Sequence, residues 1–311
     1  MRNAKDALAA ALLALLLALL ALAAGAGELS LTLENDCFVP AKSLGKGDHD
    51  YTHGTGIEYA DGRTRYKAGQ NMYAPSDLKR SDHIDGDRPY AGMIYAGVGR
   101  EFSLGTDPRW THYGEIDFGM IGPAAFAGHT QKFIHKVLGC RDPKGWHNQL
   151  HNEFVVNGQW WEKYNWYLCD WVALVPRAGI FAGTVQDAVE VGCDLKVGWN
   201  IRDDAGNNIM FSSARGRARS RLDDLQAYVY AGADERFYLY NHLLEGSFIR
   251  SRDRDQHLDV DIERFVGEVQ LGACVRYGRL AVRYYLVLRQ DEFRGQKHSP
   301  NYGGLVVGWT F

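Results

Sequence analysis

The sequence predicts an all-β protein: a closed antiparallel transmembrane β-barrel, of twelve strands, with a short helix in an extracellular-side loop. Three observations point there. Long runs alternate apolar and polar residues with period two, aromatic residues gather at the ends of those runs, and short turns such as "DGRTR" alternate with longer connections. A soluble sandwich alternates too, so the girdles and turn asymmetry carry the decision for a membrane. So does the last strand, "LVVGWTF", with Leu305, Val307, Trp309 and Phe311 on one face and an aromatic at the C-terminus. That form resembles the signal by which the barrel-assembly machinery recognises outer-membrane barrels.

At the N-terminus, Arg2 and Lys5 precede an Ala/Leu run from Ala7 to about Ala24, closed by "AAGAG". These are the parts of a secretory signal peptide, with cleavage expected after Ala26, so that 1–26 is leader and 27–311 is barrel. An uncleaved anchor helix competes, because the run is just long enough to span a bilayer. A strand pattern that begins at once leaves it no linker. No second helix-spanning apolar stretch follows. The formal net charge of −3 and the lack of a basic stripe point away from nucleic acid, and "ARGRARSR" at 214–221 reads as a solvated loop. Five cysteines in an exported chain leave at least one unbridged. Cys37 and Cys140 fall in loop-like segments, where an oxidising compartment permits a bridge between them.

The strand signal is clearest near the C-terminus. Val269, Leu271, Ala273, Val275 and Tyr277 share one face, and Glu268, Gln270, Gly272, Cys274 and Arg276 the other. After a "GR" turn, Leu280, Val282, Tyr284, Leu286 and Leu288 alternate with Ala281, Arg283, Tyr285 and Arg289. Such runs number about thirteen, whereas a bacterial barrel with both ends in the periplasm needs an even count. One run is therefore in excess or two are a single strand, and twelve is the expected total. One segment breaks the rhythm. Residues 122–139 read as a short helix with Ile134, Val137 and Leu138 on one side, Gly139 as its C-cap, and Gln131 and His135 four apart and pointing the same way.

Of the first strand, "LSLTLEND", Leu29, Leu31 and Leu33 are expected to face lipid, and Ser30, Thr32, Glu34 and Asp36 the lumen. In the next, Tyr51, Ile57 and Tyr59 are read as outward and Thr52, Gly54, Gly56 and Glu58 as inward. Asp36 and Thr52 become neighbours inside the outer mouth, on the side where the helix is inserted.

"ENDCF" (34–38), "DYTHGTGIEYA" (50–60), "DRPYAG" (87–92), "GPAAFAG" with "QKFIHKVLG" (122–139) and "GWHNQL" (145–150) stand in the order and approximate spacing of the outer-membrane lipid A 3′-O-deacylase family, which the chain resembles over nearly its whole mature length. The resemblance implies a twelve-stranded barrel in the bacterial outer membrane, with a calcium-dependent esterase site between the wall and a small helix. It implies a catalytic histidine at His135, with Gln131 one turn before it. The family's Asn-Asp pair falls on Asn35 and Asp36, its threonine on Thr52, and its arginine on Arg88. The family's acidic position after the helix meets "CRDP" here, so that Arg141 or Asp142 falls there.

The chemistry is consistent with the residues themselves. Ester hydrolysis needs a base working near neutrality and a stabiliser for the oxyanion. His135 can draw the proton from water. Asp36, with Asn35, can offer oxygens to Ca²⁺, the implied cofactor, and Arg88 can grip a phosphate of lipid A or lipopolysaccharide, the implied substrate among the outer-membrane lipids. Each has a plainer reading: a surface histidine, an Asn-Asp turn, a lumen hydroxyl, a charged barrel lining. His49, His53, His112, His129, His147 and His151 show no ligand spacing and read as structural. An outer-membrane phospholipase would use Ser with His and Asn, and Ser212, Ser213 and Ser247 have no such context. A non-enzymatic porin-like barrel needs no inserted helix.

Overall fold

The protein is represented by a computed structural model describing residues 27–40, 49–140, 142–201, 225–249, 258 and 260–311. The expected leader, Arg141, Ser212, Ser213 and the segment 214–221 lie outside the described residues. The strands are β1 (Glu28–Asn35), β2 (Asp50–Asp61), β3 (Thr64–Ala74), β4 (Ala91–Phe102), β5 (Trp110–Ile121), β6 (Glu153–Tyr164), β7 (Trp166–Cys169), β8 (Val172–Gly183), β9 (Gln186–Trp199), β10 (Gln226–Asn241), β11 (Phe265–Tyr277), β12 (Leu280–Arg289) and β13 (Tyr302–Thr310). Every pairing is antiparallel, β1 joins β13, and β6 closes on β8.

The odd count resolves at Asn165. β6 and β7 both pair with β8, Lys163 opposite Arg177 and Trp166 opposite Leu174, so they are one wall strand interrupted by a single residue. The barrel has twelve staves. The N–H of Phe311 donates to the Gly27 carbonyl at 2.9 Å, which brings the start of the described barrel and its last strand to one rim. In bacterial barrels that rim is periplasmic, and the opposite one is the outer rim. The contrast of short and long connections has an exception there, since only Thr184 and Val185 join β8 to β9 on the outer side.

The period-two alternation sorts the wall as a bilayer requires. Val269, Leu271, Val275 and Tyr277 of β11 are exposed outward, while Glu268, Gln270, Cys274 and Arg276 are buried inside. Trp110, Trp166, Trp171, Trp199 and Trp309 are exposed near the periplasmic rim, an aromatic girdle. No described helix is long and apolar enough to cross a membrane; the strands cross it.

The lumen is filled. Arg65 spans Glu58 (3.0 Å) and Glu101 (2.8 Å), Lys67 bonds Glu115 (2.5 Å) and Asp117 (3.1 Å), Arg177 pairs with Asp194 and Asp234, and Arg236 with Glu190 (2.5 Å). Nearer the outer rim Glu34 accepts from Tyr51 (2.5 Å) and Tyr285, amid Tyr73, Tyr95, Tyr228, Tyr230 and Tyr302. Charges removed from water at these depths need partners, and each arginine or lysine here has them. A porin keeps a water-filled bore, whereas this bore is packed with paired charges and aromatic rings.

Candidate functional site at the outer rim

After β5 the chain makes a 3-10 turn (Pro123–Ala125) and enters helix α1 (Ala127–Leu138). The helix ends on Gly139, whose φ of 70° is left-handed, with the Cys140 N–H returning to the His135 carbonyl at 2.8 Å. Ala127, Gln131 and His135, spaced four apart, are 1%, 3% and 3% exposed, so this stripe is the buried one. The expected apolar side is not. Val137 is 66% exposed, and Phe133 opposite the buried stripe is 67% exposed.

What α1 covers explains this inversion. Met72 and Ala74 of β3 share the outward face with exposed Tyr66, yet both are fully buried, in a cluster with Tyr90, Ala127 and Trp146. Gly92 of β4 shares the outward face with Ile94, and a side chain there would collide with the Cβ of Ala127. Gln70 of β3 donates from Nε2 to the Ala125 carbonyl at 2.5 Å. The helix therefore lies on the outside of the wall and turns its polar stripe toward it, leaving apolar residues outward.

The wall opposite departs from the simple alternation in two places. Between Tyr51 and His53 the β2–β3 register shifts, so Thr52 is the extra residue of a β-bulge. Tyr51, expected outward, is buried and bonds lumenal Glu34. Asp36, expected to follow Glu34 into the lumen, instead opens a 3-10 turn (Asp36–Phe38), which ends β1 and with it the alternation. That turn leads outward: Phe38 packs on outward-facing Gly303, and its carbonyl accepts from Tyr284 at 2.7 Å.

Asn35 joins the two irregularities. Its Nδ2 donates to the Thr52 carbonyl (2.8 Å) and its Oδ1 accepts from the Cys37 N–H (2.8 Å), so the amide acts as cap and brace. The register sets Asn35 opposite His53, which leaves Asp36 and Thr52 level, 3% and 1% exposed. Thr52 Oγ1 donates to the Met72 carbonyl at 3.2 Å, and Met72 packs in the cluster containing Trp146. Trp146 Nε1 in turn donates to Gln131 Oε1 at 2.7 Å. A continuous path of contacts thus runs from Asn35 through Thr52, Met72 and Trp146 to Gln131, one turn before His135.

Gln131 is held by one end only. Its Oε1 is anchored by the indole, while the buried Nε2 has no hydrogen-bond partner among the described residues. The bond from Trp146 also settles the amide orientation, since only the oxygen accepts. Trp146 was hidden within "GWHNQL"; nothing in its spacing marked it as Gln131's anchor. His135 borders a recess of about 810 Å³, with Lys79, Lys132, Phe133, Lys136, Gly139, Cys140, Asp142 and Lys144. Lys132 and Lys136 come from the helix, Lys79 and Lys144 from two other segments, and the fold gathers the three.

Arg88 is elsewhere. Its Nη1 bonds Glu292 at 2.8 Å and lies 3.7 Å from Asp50, with the guanidinium 4.8 Å over the ring of lumenal Tyr73. It ties the outer loops together from the lumen side. Cys37 and Cys140 are exposed and not bridged. Ser247 gives its hydroxyl to Glu153 at 2.8 Å and accepts from the Ile249 N–H at 3.1 Å.

The residues that could hold a hard cation are Asp36, with a buried carboxylate, and the backbone carbonyls beside it. Oxygen donors of this kind fit calcium chemistry. Among the described residues no three His, Cys, Asp or Glu side chains gather as a preformed cage, so the fit is to an ion completed by carbonyls, water or ligand.

A closed barrel with an apolar belt, a filled lumen and an amphipathic helix clamped outside its rim is a membrane-embedded protein with a crevice between wall and helix. The chain matches the family described as Outer membrane protein LpxR over residues 8–311. It belongs to that family, as its motif order had suggested, and the outer membrane is its location. Among solved structures it is similar to LpxR from Salmonella typhimurium, with a TM-score of 0.80 at 22% identity, covering 91% of this chain and 100% of that one. The beta domain of the Bordetella autotransporter BrkA gives a TM-score of 0.40 at 11% identity over 92% of this chain and 99% of that one. The CymD monoaromatic hydrocarbon channel gives 0.37 at 9% identity over 92% and 88%. No curated protein sequence matches the chain.

Proposed function

We propose that the protein is a carboxylic ester hydrolase of the outer membrane that removes the 3′-linked acyl chain of lipid A, using water activated by His135. The observation that carries this reading is the buried pair on α1. His135 stands beside a recess, one turn from a glutamine whose amide is locked by Trp146 with its N–H₂ uncommitted. General base and oriented donor are the two groups that ester hydrolysis requires.

In this mechanism a ring nitrogen of His135 takes a proton from water as the oxygen attacks the acyl carbonyl. The C–O bond to the sugar then breaks, and the proton passes to the departing sugar oxygen, releasing a free fatty acid. Gln131 Nε2 donates to the oxygen that becomes negative. Asn35 and Thr52 shape the opposing wall, and Asp36 is the residue to hold calcium, which when bound would supply positive charge against the oxyanion. Arg88, already engaged by Glu292, secures the loops and is a positioning residue in this scheme.

The test is mass spectrometry of lipid A from cells producing the intact protein or His135→Ala, with calcium present or chelated. Loss of a 3′-acyl unit only with intact protein and calcium is the expected result. Lipid A unchanged by the intact, folded protein refutes the reading; release of lysophospholipid instead would assign a phospholipase.

A further inference from the structure

The mechanism gives no role to Phe133 and Val137 on the outward face of α1, although Phe133, Lys132 and Lys136 also border the recess beside His135. A helix at a water-exposed rim would bury its apolar residues. This one presents Phe133 and Val137, four apart, at 67% and 66% exposure. Lys132 and Lys136 flank them and are exposed as well.

The level of the helix on the wall is given by the strand register. Gln70, Ile94, Met120 and Phe154 face outward in one row across β3 to β6, through the pairs Gln70–Ile94, Ile94–Met120 and Met120–Phe154. Ile94 and Phe154 are exposed members of the lipid-facing belt, 37% and 59%. Gln70, in the same row, is bonded to the turn that leads into α1. Gly92, on which Ala127 sits, is two residues above Ile94, about 7 Å along the strand. The helix therefore rests directly on the upper edge of the belt, on its lipid side.

We infer that the outward face of α1 docks into the outer leaflet, with Phe133 and Val137 entering its apolar edge and Lys132 and Lys136 meeting anionic head groups. Two independent features select this occupant. The helix is seated on the outward wall at the upper edge of the belt, and the charges beside its patch are of the sign that an anionic lipid surface attracts. Amphipathic helices with aromatic and lysine neighbours lie in such an interface, lysine stems reaching upward to the charged layer. The arrangement holds α1 against the wall from outside, in the same plane as lipid head groups.

The test places a photo-reactive benzoylphenylalanine at position 133, and separately at 137, in the full-length protein within intact outer membranes. Position 154 in the belt serves as positive control, and position 82, on an exposed loop, as negative control. Heat-modified gel mobility verifies barrel folding in each case. Light-dependent lipid adducts at 133 and 137, identified by mass, are expected, with a several-fold lower yield in the Lys132→Glu/Lys136→Glu background. Absence of lipid adducts at both positions while 154 labels overturns the inference, as do adducts with protein alone. Labelling unaffected by the charge reversal removes the lysines' part. Because the readout is contact and not hydrolysis, its outcome is independent of the proposed esterase activity.

Discussion

Gly128→Ala should leave the barrel and helix intact and yet impair the site. The substitution lies within α1, where Ala exceeds Gly in helix propensity by about 1 kcal/mol, so local reasoning predicts a gain. The tertiary contact predicts otherwise. A Cβ at 128 would stand 2.9 Å from Cγ and Cδ2 of Trp146 and 3.3 Å from its Cβ. Ordinary carbon contacts are about 3.5–4.0 Å, so the indole must retreat by roughly 1 Å. Its 2.7 Å bond to Gln131 would then lengthen beyond useful range. Loss of a partner to a buried polar group costs about 1–3 kcal/mol, and misplacing a catalytic group by about 1 Å can lower rate on the order of 10²-fold. The assay is the initial rate of lipid A deacylation in mixed micelles, with folding checked by heat-modified mobility. Trp146→Phe, which keeps the ring and removes the N–H, should give a similar loss, and the double variant little more, because both act through one bond. Wild-type rate in folded Gly128→Ala, or effects that add fully, would refute the path from Trp146 to Gln131.

Three further outcomes follow from the same structure. Gly92→Val should lift α1 from its seat and abolish lipid A hydrolysis while the barrel still folds, and Ala127→Gly should partly restore the rate, since the clash is with the Ala127 Cβ. Glu34→Ala removes the shared acceptor of Tyr51 and Tyr285 in a fully buried position and should lower unfolding stability in urea by about 2–6 kcal/mol, at about 1–3 per hydroxyl; Glu34→Gln should cost less. At the outer rim His298 stacks on His49 at 4.0 Å, and burial, then the neighbouring His49, lowers its pKa from 6.5, against the opposing pull of Asp50 and Asp87. The folded form thus binds fewer protons than the opened one, so the packing of this loop is fully stable above about pH 6.5 and weakens as pH falls through the lowered value. Limited proteolysis of the loop 290–301 should quicken between about pH 7.5 and pH 5, and His298→Phe should remove most of that response.

The filled lumen also bears on how the protein tolerates change. Arg65, Lys67, Arg177 and Arg236 are each paired with carboxylates from other staves, so removing a single partner strands a buried charge. Lipid-facing positions have no such constraint, and apolar exchanges there should matter little.

Sequence alone was enough for the barrel, its two faces and its twelve staves, because a strand's side chains alternate with its own backbone and a bilayer outside imposes the contrast locally. It also placed Gln131 and His135 on one stripe of a helix, for the same reason of local geometry. It failed where alternation stops. Asp36 leaves the lumen at a 3-10 turn, and Tyr51 changes sides at the Thr52 bulge, both features defined by pairing with distant strands. Nor could the helix's own pattern tell which face is buried, since amphipathicity shows two faces but not which solvent each meets. Only the tertiary structure decided that α1 lies outside the wall, with His135 and Gln131 toward it and Phe133 and Val137 away. It likewise engaged Arg88 with Glu292, a partner 204 residues on, and set Trp146 on Gln131, contacts that depend on loops meeting at the rim.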